Sequence, residues 1–245
     1  MLTSYDAFTA GLFEQSGVRA LLVGDTAGMV VFGREDTISV TVDELLPLAR
    51  AVVAGTSSAL IVADLPFGSY QVSAEQALTS AVRFAKEAGA HAVKLEGGRN
   101  VCAQIEAIVS AGIPVMGHIG LTPQSIHQLG GMRRVQGRGD NAELVLQDAL
   151  AVEQAGAFAV VLEAIPQELA AEITKTLQIP TVGIGAGVEC SAQIMVWQDL
   201  MGLTPGRLPR FVKQYADVRD VMQKATAQYV RDVESGAFPD DAHSY

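Results

Sequence analysis

Short apolar runs recur along the chain, each followed by a glycine or polar punctuation and then by a stretch of helical period. The runs are Leu2 to Tyr5, Ala20 to Val23, Ala59 to Ala63, Ala92 to Leu95, Pro114 to Met116, Phe158 to Leu162, Thr181 to Ile184 and the weaker Ile194 to Trp197. They are continuously apolar instead of alternating, as parallel strands covered by helices are. The stretches between them carry helix grammar. Ser73 with Gln76 forms a capping box and Gly89 a C-terminal stop, Asn141 to Ala155 ends at Gly156, and Pro166 to Leu177 opens with proline and nearby acids. Eight such units predict a (β/α)8 TIM barrel in preference to an open doubly wound sheet.

Length and composition narrow this further. The 245 residues match one barrel of about 250 residues, and no linker divides them. A single domain over 1–245 is expected, with a loose polar tail at 239–245. Met1 runs straight into the strand-like LTSY, so an element before the first strand is expected to be absent or replaced. The net charge of −10 disfavours nucleic acid and anionic lipid as partners and leaves small molecules. There is no apolar run of about 18 residues and no signal peptide pattern, which points to the cytoplasm. Cys102 and Cys190 stand far apart outside any zinc-ligand spacing and read as reduced thiols.

In a parallel barrel the strand C-termini share one mouth, so the residues ending each run carry the chemistry. They are Asp25 in LLVGD, Asp64 in LIVAD, Lys94 and Glu96 in VKLEGG, His118 in VMGH and Glu163 in VVLE. Singly, an acid there is often a helix cap; together, Asp25 and Asp64 are hard oxygen ligands that suit Mg²⁺ with water in its remaining positions. Lys94 and Glu96 are two apart and emerge on one face of a strand. That pair is either a structural salt bridge or a substrate-binding cation beside a carboxylate serving the metal; a Schiff-base lysine is disfavoured by nearby acids. Glu163 follows apolar residues and is expected against apolar walls as a general base, with capping of the following helix as the alternative. His118 reads as a ligand, an acid or a core histidine. Gly183, Gly185 and Gly187 suit either a phosphate cradle or close-packed backbone, while Arg138-Gly139-Asp140 carries no adhesion signal and Trp197 reads as core.

The motifs LLVGDTAGM, VADLPFGSY, VKLEGG, GHIGLTPQS, RVQGRGD, VLEAIP and IPTVGIGAG occur in this order. Together they resemble the ketopantoate hydroxymethyltransferase family over nearly the whole chain. That resemblance implies Asp25 and Asp64 as Mg²⁺ ligands, Glu96 in the same metal site, and Asp25, Thr26, Asp64 and Lys94 as substrate contacts. It implies Glu163 as proton acceptor, 3-methyl-2-oxobutanoate as acceptor substrate, 5,10-methylenetetrahydrofolate as one-carbon donor, and a homo-oligomer, typically a decamer. Thr26 stands where the family commonly has Ser, and the family's N-terminal helical segment is missing. On chemical grounds His118 is expected beside the new hydroxymethyl group, and Thr122 to Asp140, with Arg133, Arg134 and Arg138, is a candidate cover over the mouth. The competing expectation is a metal-dependent lyase or mutase acting on a 2-oxo acid through an enolate.

Overall fold

The computed structural model describes residues 1–130 and 135–245. The chain forms two compact units, Met1–Met195 and Val196–Tyr245. The first holds a parallel sheet with, among the described residues, eight strands in sequential order. They are β1 (Leu2–Thr3), β2 (Ala20–Val23), β3 (Leu60–Asp64), β4 (Ala92–Glu96), β5 (Val115–Gly120), β6 (Ala159–Glu163), β7 (Thr181–Ile184) and β8 (Ala192–Gln193). A parallel bridge between Leu2 and Met195 joins the last strand's edge to the first, with Thr3 N–H donating to the Met195 carbonyl at 3.1 Å. The sheet thus closes on itself, as a (β/α)8 barrel requires.

Local chemistry starts and stops the covering helices. Thr41 and Glu44 make a reciprocal capping box at the head of Val42–Ala54. Ser73 accepts from Gln76 N–H, but the Gln76 side chain reaches back one residue further than a capping box requires, to Val72 N–H at 3.0 Å. The helix that follows, Ala74–Arg83, widens into a π turn over Phe84–Ala88 and ends at Gly89, whose φ is 74°. Helices Asn141–Gln154 and Gln167–Thr176 fall within the predicted segments and bury Val145, Ala149 and Val152, and Leu169, Ala170 and Ile173.

Two strand boundaries differ from the sequence reading. The fifth strand runs on through Gly117, His118 and Gly120, which interrupt the apolar run. Gly117 is needed there because a Cβ would lie 2.4 Å from the Val152 side chain. The eighth strand is Ala192–Gln193 and not Ile194 to Trp197: Ala192 and Gln193 pair with Val182 and Gly183, and Trp197 opens a helical turn to Leu200. Both of its residues are exposed, so no apolar signal marked it.

Leu22, Val62, Ala92, Met116, Ala159, Val161, Val182 and Ile194 pack together as the barrel's interior. In the second unit, Asp217 caps the helix Val218–Ser235, which ends at Gly236 with φ 74° and buries none of its residues. The tail beyond it carries a 3-10 turn at Asp241–His243 capped by Asp240.

Candidate active site

Side chains two residues apart share a face of a strand. The inward rows therefore read Leu60, Val62, Asp64 on β3; Ala92, Lys94, Glu96 on β4; Met116, His118 on β5; and Ala159, Val161, Glu163 on β6. Each row is apolar low in the barrel and ionisable at the mouth. Register then decides which groups meet: Asp64 lies opposite Lys94, Glu96 opposite His118, and Gly120 opposite Glu163.

Asp64 is the hub on one side. Its Oδ1 is 2.9 Å from Lys94 Nζ, and its Oδ2 accepts the Asp25 N–H at 2.9 Å. Gly24 permits that approach, since a Cβ there would stand 3.2 Å from Asp64 Oδ2. The direct ion pair of Lys94 is thus with Asp64, on the neighbouring strand, and not with Glu96 in its own. Glu96 pairs instead with His118, whose Nδ1 is 3.3 Å from Oε1 and 3.2 Å from Lys94 Nζ. His118 Nε2 stands 3.2 Å from Glu163 Oε2, a close ion-pair approach without the alignment of a hydrogen bond. Asp25, Asp64, Lys94, Glu96 and His118 are all buried, while the Glu163 side chain keeps 16% of its surface exposed. Glu163 therefore stands beside an imidazole at a partly exposed position.

Burial shapes the electrostatics. It raises Asp25 well above the usual carboxylate range, and repulsion from Asp64 and Glu96 adds to this. Asp64 is also raised by burial, against the pull of Lys94. For Lys94, burial works against the charged form, but Asp64, Glu96 and Asp25 more than offset it and hold the ammonium above its ordinary value. A lysine so stabilised is a poor Schiff-base nucleophile. Burial and Lys94 pull His118 down, yet Glu163 and Glu96 outweigh them and lift it to about 9. Burial pushes Glu96 up, and His118, Lys94 and the Gln124 N–H bring it below its usual value.

These residues fit a hard divalent cation. Three buried carboxylates face one lysine, and Asp64 Oδ1 lacks an aligned hydrogen bond despite its ion pair. Among the described residues, no three His, Cys, Asp or Glu groups form a cage that could hold a metal ion unaided. Such a donor set suits Mg²⁺, which takes one or two carboxylates and keeps several waters.

Thr26 heads the helical turn Ala27–Val30 without a side-chain capping bond. Gly183 and Gly187 are covered by side chains, a Cβ meeting Cys190 Sγ at 2.9 Å and Gln167 Cβ at 2.5 Å, so close packing accounts for them. Cys102 and Cys190 are free thiols. Of the candidate cover, Arg133 and Arg134 lie outside the described residues, Arg138 is exposed, and Gln136 N–H donates to the carbonyl of Ala164, next to Glu163, at 3.0 Å. Sequence reasoning missed Gln124 and Tyr70. Both are buried against the acids: Gln124 Nε2 donates to Asp25 Oδ2 at 2.8 Å, and Tyr70 OH lies 3.0 Å from the Glu96 carbonyl. Each stood within a recognised motif, but a neutral side chain carries no signal of charge.

A ketopantoate hydroxymethyltransferase family model matches residues 1–241. This chain belongs to the ketopantoate hydroxymethyltransferase family. Proteins named 3-methyl-2-oxobutanoate hydroxymethyltransferase from Rhodococcus jostii, Acidothermus cellulolyticus and Streptomyces coelicolor are 58%, 59% and 60% identical to it. Each alignment covers 100% of this chain, and 84%, 90% and 84% of the respective relative. Among solved structures, phosphonopyruvate hydrolase in complex with oxalate and Mg²⁺ is similar with a TM-score of 0.61 at 14% identity, over 99% of this chain and 87% of that one. For 2,3-dimethylmalate lyase the TM-score is also 0.61 at 14% identity, over 99% and 85%. At that identity these neighbours speak for the barrel fold alone.

Proposed function

We propose that this chain transfers a hydroxymethyl group from 5,10-methylenetetrahydrofolate to 3-methyl-2-oxobutanoate, giving 2-dehydropantoate. The observation that carries this reading is the continuous run Asp25, Asp64, Lys94, His118, Glu96 and Glu163 across the ends of five consecutive strands, in a chain 58–60% identical to enzymes of that name. Asp25 and Asp64 would hold Mg²⁺. Glu96, which accepts from Gln124 N–H and approaches His118, would belong to the same metal site. When bound, the cation supplies Lewis acidity toward the negative charge that develops on the 2-oxo acid.

The chain's own groups do the rest. Glu163, open to the mouth, takes the C3 proton; C3 then bonds to the one-carbon unit of the folate, and water supplies the hydroxyl oxygen as tetrahydrofolate leaves. Lys94 balances the substrate's charge, Thr26 contacts the 2-oxo acid, and His118 stands beside the new hydroxymethyl group. The reading extends to one catalytic domain over 1–245, in the cytoplasm, as a homo-oligomer of decamer size without nucleic-acid or membrane partners. The net charge of −10 supports it, and among the described residues no helix is long and apolar enough to cross a membrane.

Substrate deuterated at C3 tests the proton step. With Mg²⁺, wild-type protein should release the label to water, and Glu163→Gln should slow release by about 10²–10⁴-fold. Without the folate, substrate recovered from active wild-type protein and Mg²⁺ with its C3 label intact overturns the reading. A lyase or mutase on the same barrel would instead cleave a 2-oxo acid without the folate.

A further inference from the structure

We propose that Gln124 is a positioning residue that clamps Asp25 to Glu96 and so sets which carboxylate oxygen the metal site presents. The inference rests on the Mg²⁺ site proposed above. Gln124 sits in the 3-10 turn Pro123–Ser125 after β5, between carboxylates that come from the ends of β2 and β4. Its backbone N–H donates to Glu96 Oε2 at 2.9 Å. Its amide nitrogen donates to Asp25 Oδ2 at 2.8 Å and to the Leu65 carbonyl at 3.0 Å. One residue therefore ties together three strand ends.

The direction of the amide is set by its other side. Gln124 Oε1 accepts from Tyr70 OH at 2.7 Å and from Gln71 Nε2 at 3.3 Å. The Tyr70 oxygen itself accepts from Glu96 N–H at 3.2 Å, which leaves its proton for Gln124 Oε1 or the more distant Glu96 carbonyl. Turning the amide over would set its oxygen against a carboxylate and a carbonyl, both acceptors, and its nitrogen against the amide of Gln71. Gln124, Tyr70, Asp25 and Glu96 are each at most 5% exposed, so water cannot replace a lost partner cheaply. With Oδ2 of Asp25 taken by the amide, Oδ1 is the oxygen left for a cation. A leucine would fill the same space and keep the backbone tie to Glu96 but release Asp25, which separates positioning from packing.

Binding of Mn²⁺ alone, followed by electron paramagnetic resonance on the metal-stripped full chain, tests this without turnover. Gln124→Leu should weaken Mn²⁺ binding by roughly tenfold to a hundredfold, the usual effect of losing a partner that orients a ligand. Tyr70→Phe, which frees the amide to turn, should weaken it by roughly threefold to tenfold. The Mg²⁺ concentration for half-maximal turnover should rise in step. A folded Gln124→Leu protein that binds Mn²⁺ as wild type does overturns the clamp. If Gln124→Leu does not fold, unchanged Mn²⁺ affinity in Tyr70→Phe overturns it equally. Wild-type protein that binds no Mn²⁺ refutes the metal site itself, a separate failure.

Discussion

The two ends of the barrel use the same side chain for opposite purposes. At the strand starts, the Glu14 carboxylate accepts the backbone N–H groups of Ser57, Ser58 and Ala59, at 2.7 Å for the last two, just before β3. Glu153 does likewise before β7, accepting from Gln178 N–H at 2.6 Å and Ile179 N–H at 3.0 Å. At the strand ends, Asp25, Asp64 and Glu96 crowd one another, with one lysine and one histidine among them. Backbone donors hold Glu14 down to about 2, whereas burial and like charge hold Asp25 far up. A carboxylate satisfied by main chain is a structural tie. One held among other carboxylates stores repulsion that a cation relieves, and this distinguishes the working end of the barrel from its floor.

The largest effect is expected at Lys94. Lys94→Met leaves the buried Asp64 without its counter-charge and should lower the unfolding free energy of the metal-free protein by about 3–5 kcal/mol, measured by urea denaturation. The loss should shrink at low pH as Asp64 takes up a proton, and a wild-type urea midpoint at neutral pH would show that the mouth is not under this electrostatic load. A smaller effect is expected on the floor. The folded-state pKa of Glu14 lies below its ordinary value of 4.5, so its contribution is present above that pH and is lost as pH falls toward 2. Glu14→Gln should be less stable than wild type at neutral pH, and the gap should close on acidification over that window. A gap independent of pH would mean that shape, not charge, ties the loop to the helix.

The smallest effect concerns the backbone beside Glu163. Ala164 has φ 49°, a conformation glycine adopts freely and alanine does not. Its carbonyl accepts from Gln136 N–H, and its own N–H donates to the Ile184 carbonyl at 2.9 Å, so the surrounding structure holds the strain in place. Gly120 lies across the register from Glu163, and a Cβ there would lie 2.3 Å from the Glu163 carbonyl oxygen. Ala164→Gly relieves the strain but frees the unfolded chain, so stability should move by less than about 1 kcal/mol in thermal unfolding. A larger loss would show that the Ala164 methyl group packs in a way the backbone alone does not explain.

Much of this end of the molecule was legible beforehand. A charged residue after an apolar run is a local pattern, and so is the two-residue spacing that puts Lys94 and Glu96 on one face. The glycine-broken β5 and the exposed β8 were not legible to the same degree, because His118 there owes its place to Gly117 making room for Val152, and β8 to pairing with β7. The floor acids were passed over because Glu14 lies inside a helix and Glu153 in another, with nothing local to mark the backbone groups they meet.

The sequence by itself determined the repeating strand and helix units, the parallel barrel they imply and the set of ionisable groups at its mouth. Those depend on periodicity and on chemistry within a few residues. Only the tertiary structure decided the pairings: Lys94 with Asp64 instead of Glu96, His118 between Glu96 and Glu163, and Gln124 across Asp25 and Glu96. These join residues 22 to 99 positions apart. They follow from strand register and from the burial that makes each polar atom find a partner, which no local pattern carries.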